Sequence, residues 1–76
     1  MDSSIAGRFG RVIRTLRLNE GLTQEALGFK AGLQRNYISS IELGQKQPSL
    51  TSIFKLSSAL NLKPGRLLDL MGDVEV

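Results

Sequence analysis

Residues 22–44 read LTQEALGFKAGLQRNYISSIELG, and this run limits what the chain can become. Its apolar residues recur at three- and four-residue intervals, the spacing of one face of an α-helix, and no stretch of the chain shows the alternation of a half-buried strand. Gly32 interrupts the pattern after Ala31, supplying the left-handed residue that ends one helix and turns the chain into the next. The expected fold is all-α, with two short helices meeting across a three-residue break.

The same signals divide the rest of the chain. Ser4 is a good N-cap for a first helix of about residues 4–19, which closes at Gly21. On that helix Ile5, Phe9, Val12, Ile13 and Leu16 share an arc of about 100°. Arg8, Arg11 and Arg14 point away from it, and Arg17 stands at its edge. Thr23 caps a second helix of about 23–30, with Glu25 well placed against the dipole in its first turn. Ala26, Leu27 and Ala31 make its small inner face. Gly28 lowers helix stability by roughly 0.5–1 kcal/mol relative to alanine, which implies close packing against a neighbouring helix. Leu33 should tuck into the core beneath the turn.

A third helix, about 34–43, carries Tyr37, Ile38 and Ile41 on one side and Arg35, Asn36, Ser39, Ser40 and Leu43 on the other, with Glu42 at the boundary. Gly44 closes it, and Pro48 ends the polar loop Gln45-Lys46-Gln47. Ser49 begins a fourth helix, about 49–60, with Leu50, Ile53, Leu56 and Leu60 facing inward and Phe54 on the flank. After Asn61, a plausible cap, Pro64 opens a fifth helix of about 64–71. Residues 72–76 should fray. Residues 1–76 are expected to form one domain, without repeats or linkers.

Composition removes several classes of function. The chain of 76 residues has no cysteine and no histidine, so thiolate chemistry, the commonest metal ligand and the commonest general base are all missing. Its carboxylates are scattered and it has no glycine-rich phosphate loop. No enzyme, metal or cofactor is expected. No apolar run reaches the length of a bilayer-spanning helix. The Arg-rich start has the composition of a transit peptide, but it also forms the first helix of a minimal fold.

Charge points elsewhere. The net charge is +3, yet from Ser3 to Leu68 ten basic residues face only Glu20, Glu25 and Glu42, about +7 for the body of the chain. That suits a polyanionic partner, although a basic surface can also be merely solvated. The third helix sharpens the choice, because Gln34, Arg35, Asn36, Ser39 and Ser40 supply the chemistry that reads base edges. Arginine forks onto guanine O6 and N7, asparagine pairs with adenine N6 and N7, and serine donates or accepts.

Leu22-Thr23-Gln24-Glu25-Ala26-Leu27, then Ala31-Gly32-Leu33, Tyr37-Ile38-Ser39, Ile41-Glu42, Gly44, Pro48-Ser49-Leu50 and Leu56 to Leu60 together resemble the Cro/CI-type (XRE-family) helix-turn-helix domain. The likeness runs from about Phe9 to Met71. It implies a five-helix, lambda-repressor-like fold with the helix-turn-helix at helices 2 and 3, found in bacterial and phage regulators of transcription that bind double-stranded DNA.

By that resemblance Gln24 bonds the DNA backbone and braces the recognition helix, and Thr23 meets the same phosphate. The third helix lies in the major groove with Gln34, Arg35, Asn36, Ser39 and Ser40 towards the bases. Gln45, Lys46 and Gln47 match a loop that touches the backbone. Tyr37 is divided between core and phosphate, with its hydroxyl outward. Arg17 and Glu42 match positions paired in the family and imply an ion pair between helices 1 and 3. Leu43 and Lys63 depart from the pattern, which favours Asn or Arg at the first and a Ser or Thr cap at the second. The Tyr-Ile-Ser run, with Arg35 two positions before it, also resembles the small controller proteins of restriction-modification systems.

The expected function is a cytoplasmic, nucleoid-associated regulator that binds a palindromic operator as a homodimer, with RNA polymerase as a further partner and no membrane contact. Leu67, Leu68, Leu70 and Met71 cover about 160° of a short helix. They form the candidate dimer contact, which Phe54 could extend. An antitoxin-type or other protein-interaction module on the same fold is the alternative from a different class.

Overall fold

The structure, a computed structural model, describes residues 4–74. The last two residues of the tail expected to fray, 75–76, lie outside the described residues. Among those described there are five helices and no strand: α1 (Ile5–Asn19), α2 (Gln24–Ala31), α3 (Arg35–Glu42), α4 (Leu50–Ala59) and α5 (Pro64–Asp69).

Local chemistry accounts for most of the boundaries. The side chains of Ser4, Thr23 and Ser49 accept hydrogen bonds at 3.0 Å from the backbone N–H groups of Gly7, Ala26 and Ser52. Each cap is worth about 1 kcal/mol. Gln34 and Lys63 precede α3 and α5 without a side-chain cap, and α5 relies on Pro64 in its first turn. Gly32 ends α2 at φ +69°, a conformation glycine adopts without steric cost.

The core draws on all five helices: Phe9 and Ile13 from α1, Leu27 and Ala31 from α2, Ile38 and Ile41 from α3, Leu56 and Ala59 from α4 with Leu60 just beyond it, and Leu67 from α5. α1 packs on α3, α2 on α3 and α4, and α4 on α5. The helix-turn-helix is therefore supported from both sides.

Four expectations need correction. Leu50 does not face inward but is 71% exposed. The buried face of α4 runs through Ser52, Leu56 and Ala59, and Leu50 lies about 200° around the helix from Ser52. Ile5, at the first position of α1, is exposed rather than covered. Gly28 does make room for a close approach, but first to the turn and only then to the neighbouring α3, whose Arg35 nitrogen would lie 3.5 Å from a Cβ. A Cβ there would lie 2.5 Å from the Leu33 carbonyl oxygen, and the Leu33 N–H closes the turn onto the Gly28 carbonyl at 2.8 Å. Finally, α5 stops at Asp69, yet the chain after it does not simply fray. The Arg8 guanidinium donates to the carbonyls of Met71 at 3.2 Å and Asp73 at 3.0 Å, tying this segment to α1.

Candidate nucleic-acid interface

The turn Gly32-Leu33-Gln34 sets α3 against α2 so that one face of α3 is buried and the other is open. Ile38 and Ile41 are fully buried. Gln34, Arg35 and Asn36 are exposed, and Ser39 and Ser40 half-buried. Gln34, Asn36, Tyr37, Ser40 and Lys46, with Gly32 and Leu33, line an open depression of about 430 Å³. Amide, hydroxyl and ammonium groups thus converge on one concave surface. Arg35 lies outside its walls and donates to the Asn36 side-chain oxygen at 3.3 Å, a long, exposed bond that a better acceptor would displace.

Not every residue expected on the DNA side is brought together there. Gln45 is exposed in the loop. Gln47 borders instead a small pit of about 80 Å³ whose walls are mainly apolar, including Ile5, Phe9, Ile53, Leu68 and Met71. Thr23 is exposed, with its hydroxyl oxygen occupied by the Ala26 N–H.

The far end of α3 is held firmly. Arg17 Nε lies 2.6 Å from Glu42 Oε2 and Arg17 Nη2 3.0 Å from Oε1, with the two side chains 9% and 3% exposed. Arg17 Nη1 also donates to the Leu22 carbonyl at 2.7 Å, and Gln24 Nε2 to Glu42 Oε1 at 3.1 Å. One carboxylate therefore joins α1, the start of α2 and the end of α3. Hydrogen bonding to Glu42 raises the Arg17 pKa above its ordinary value, against the opposing effect of burial. The Arg17 guanidinium stays charged at any physiological pH.

Tyr37 packs its ring against the core, and its hydroxyl is engaged within the fold. The oxygen accepts from Ser52 Oγ at 3.0 Å and from the Ser49 N–H at 3.3 Å, linking α3 to the first turn of α4. Burial would raise the phenol pKa. The hydrogen bonds from Ser52 and Ser49, with Lys46 nearby, outweigh that and hold it below its ordinary value.

At the candidate dimer surface, Leu67 must be withdrawn: it is fully buried in the core, because a six-residue α5 turns one residue squarely onto α4. Phe54, Leu68 and Leu70 remain exposed, and Met71 is half-buried beside the small pit. Leu70 faces the other way, onto Val12 and Leu16 of α1. Three features escaped the sequence reading. Ser52 is a partner of Tyr37, Gly10 lies against the end of α3, and Phe29 is 89% exposed on α2. Only the glycine, a helix-weakening residue in mid-helix, left a signal that could have been noticed.

A helix-turn-helix with a polar, accessible α3 and a buried brace behind it defines a class, and comparison agrees. The helix-turn-helix family matches residues 13–67, and the chain belongs to it, among the XRE-type DNA-binding regulators of transcription and not among enzymes. Within that family the chain is 43% identical over 70 residues to the control protein C.BamHI of Bacillus amyloliquefaciens, spanning 91% of this chain and 86% of that one. It is 36% identical over 69 residues to the control protein C.MunI of a Mycoplasma species, spanning 90% and 89%. The crystal structure of the restriction-modification controller protein C.AhdI from Aeromonas hydrophila superposes with a TM-score of 0.79 at 44% identity, covering 82% of this chain and 94% of that one. Among the described residues no helix is long and apolar enough to cross a membrane, and no acidic cluster could hold a metal ion.

Proposed function

We propose that the protein is a sequence-specific regulator that binds a palindromic double-stranded operator as a homodimer and serves as the controller of a restriction-modification system in a bacterial cytoplasm. The observation that carries this is the convergence of Gln34, Asn36, Ser40 and Lys46 on one open depression beside α3. Groups of this kind pair with base edges and phosphates in a major groove. α3 reads the bases through Gln34, Arg35, Asn36, Ser39 and Ser40. Thr23, Gln24, Tyr37, Gln45 and Lys46 contact the DNA backbone, and Gln47, turned to the apolar pit, does not.

One such helix spans only a few base pairs, so useful discrimination calls for two copies with recognition helices about 34 Å apart. Exposed Phe54, Leu68 and Leu70, with Met71, supply apolar surface on two sides of α5 for a two-fold contact, Leu70 on the side turned to α1. The control proteins similar to this chain support the assignment to restriction-modification.

Selection of bound sites from random duplex DNA tests the reading, with sedimentation of the protein and of its Leu70→Asp variant alongside. A palindromic site with half-sites one DNA turn apart is expected, bound by a wild-type dimer that Leu70→Asp converts to a monomer. No enriched sequence would defeat base reading. A wild-type monomer on its site, or a Leu70→Asp protein that still dimerises, would defeat the α5 contact.

A further inference from the structure

Glycine weakens a helix relative to alanine, and Gly10 sits in the middle of α1. The reason lies across the interface with α3. A Cβ at Gly10 would overlap the Ile41 carbonyl oxygen and come to 2.8 Å from the Glu42 carbonyl oxygen and 3.0 Å from its carbon. These are backbone atoms and cannot rotate away, so a side chain here requires α3 itself to move. Seven residues on, and on the same face of α1, Arg17 holds the Glu42 carboxylate. The last residue of α3 is thus fixed twice by α1, through its backbone at Gly10 and through its side chain at Arg17.

Given the reading of α3 as the base-reading helix, on which this inference rests, we infer that Gly10 is a positioning residue for DNA discrimination. Its missing side chain lets the end of α3 seat directly on α1. Asn36 lies six residues, about 9 Å, from Glu42 along the axis. Displacing the seated end tilts the helix and carries Asn36 out of hydrogen-bonding register, and base contacts tolerate little of that. Phosphate contacts are long-ranged and forgiving, so affinity for DNA of any sequence persists.

The test compares wild type with Gly10→Ala and two controls, measuring affinity for the selected site and for random DNA at one salt concentration, in the cold, with circular dichroism to establish folding. Gly65→Ala is the neutral control, since nothing lies within 4 Å of a Cβ there. Ile13→Val, in the core, lowers stability while leaving the Gly10 contact with the Ile41 and Glu42 carbonyls without a new side chain. Gly10→Ala should remain folded and lose about tenfold in the ratio of specific to random binding, the share of one good base contact, with random binding nearly unchanged. Both controls should keep the wild-type ratio. An unchanged ratio, an equal fall in Ile13→Val, or a Gly10→Ala protein that is unfolded in the cold would each overturn the inference. A wild type with no preferred site would instead overturn the reading of α3, which separates the two failures.

Discussion

At its C-terminal end α3 is anchored by side chains: Ile38 and Ile41 are fully buried, and the Glu42 carboxylate receives Arg17 and Gln24. At its N-terminal end Gln34, Arg35 and Asn36 are exposed, and no side chain caps the first turn. A helix of eight residues is too short to stand alone in water, so its stability has to come from tertiary contacts. Concentrating those contacts at one end leaves the polar groups at the other free for a ligand. Rigidity and availability are divided along a single helix.

The sharpest way to break this division is at the braced end. Glu42→Leu strands a buried guanidinium and should cost about 3–5 kcal/mol of stability, whereas Arg17→Met combined with Glu42→Leu should recover most of the loss. Urea unfolding of the four proteins forms the cycle. Small, additive losses would mean that the two charges act separately and that something else holds α3.

The open end should respond in the opposite sense. Asn36→Ala is expected to leave stability within about 0.5 kcal/mol of wild type while weakening binding to the preferred site by about 1–3 kcal/mol. Affinity for random duplex should scarcely move. An equal loss on both DNAs would assign Asn36 to the phosphate backbone.

Tyr37 stands between the two ends and should give the smallest effect. Tyr37→Phe removes the acceptor for Ser49 and Ser52 and should cost about 1 kcal/mol in thermal unfolding. The chain has a single tyrosine, so its ionisation can be followed directly by ultraviolet absorbance. The midpoint should fall below the ordinary value of 10.0 and rise in Ser52→Ala. Because the folded pKa is depressed, the linked stabilisation is fully present above the unfolded value and is lost as pH falls through the folded one. A midpoint at or above 10.0 would show that the serines do not govern the phenol.

What could be read beforehand follows from range. The caps Ser4, Thr23 and Ser49 and the left-handed Gly32 act within four residues, so the helices and the turn were legible from local chemistry. The placement of Leu50 and Leu67 was not, because rotation of a short helix about its axis is decided by what it packs on. Nothing local joins Arg17 to Glu42, 25 residues further on, and only the family resemblance links them. Nor could the partners of the Tyr37 hydroxyl be foreseen, since they depend on how α4 leaves the loop after Pro48.

The hydrogen bonds from Arg8 to the Met71 and Asp73 carbonyls have a topological consequence. They hold the first turns of α1 and the segment after α5 within one side chain's reach of each other, so the backbone between them already closes a loop. A short peptide joining these two segments would add little closure entropy, which makes this fold suited to circular permutation, with the new ends opened in the polar loop that follows Gly44.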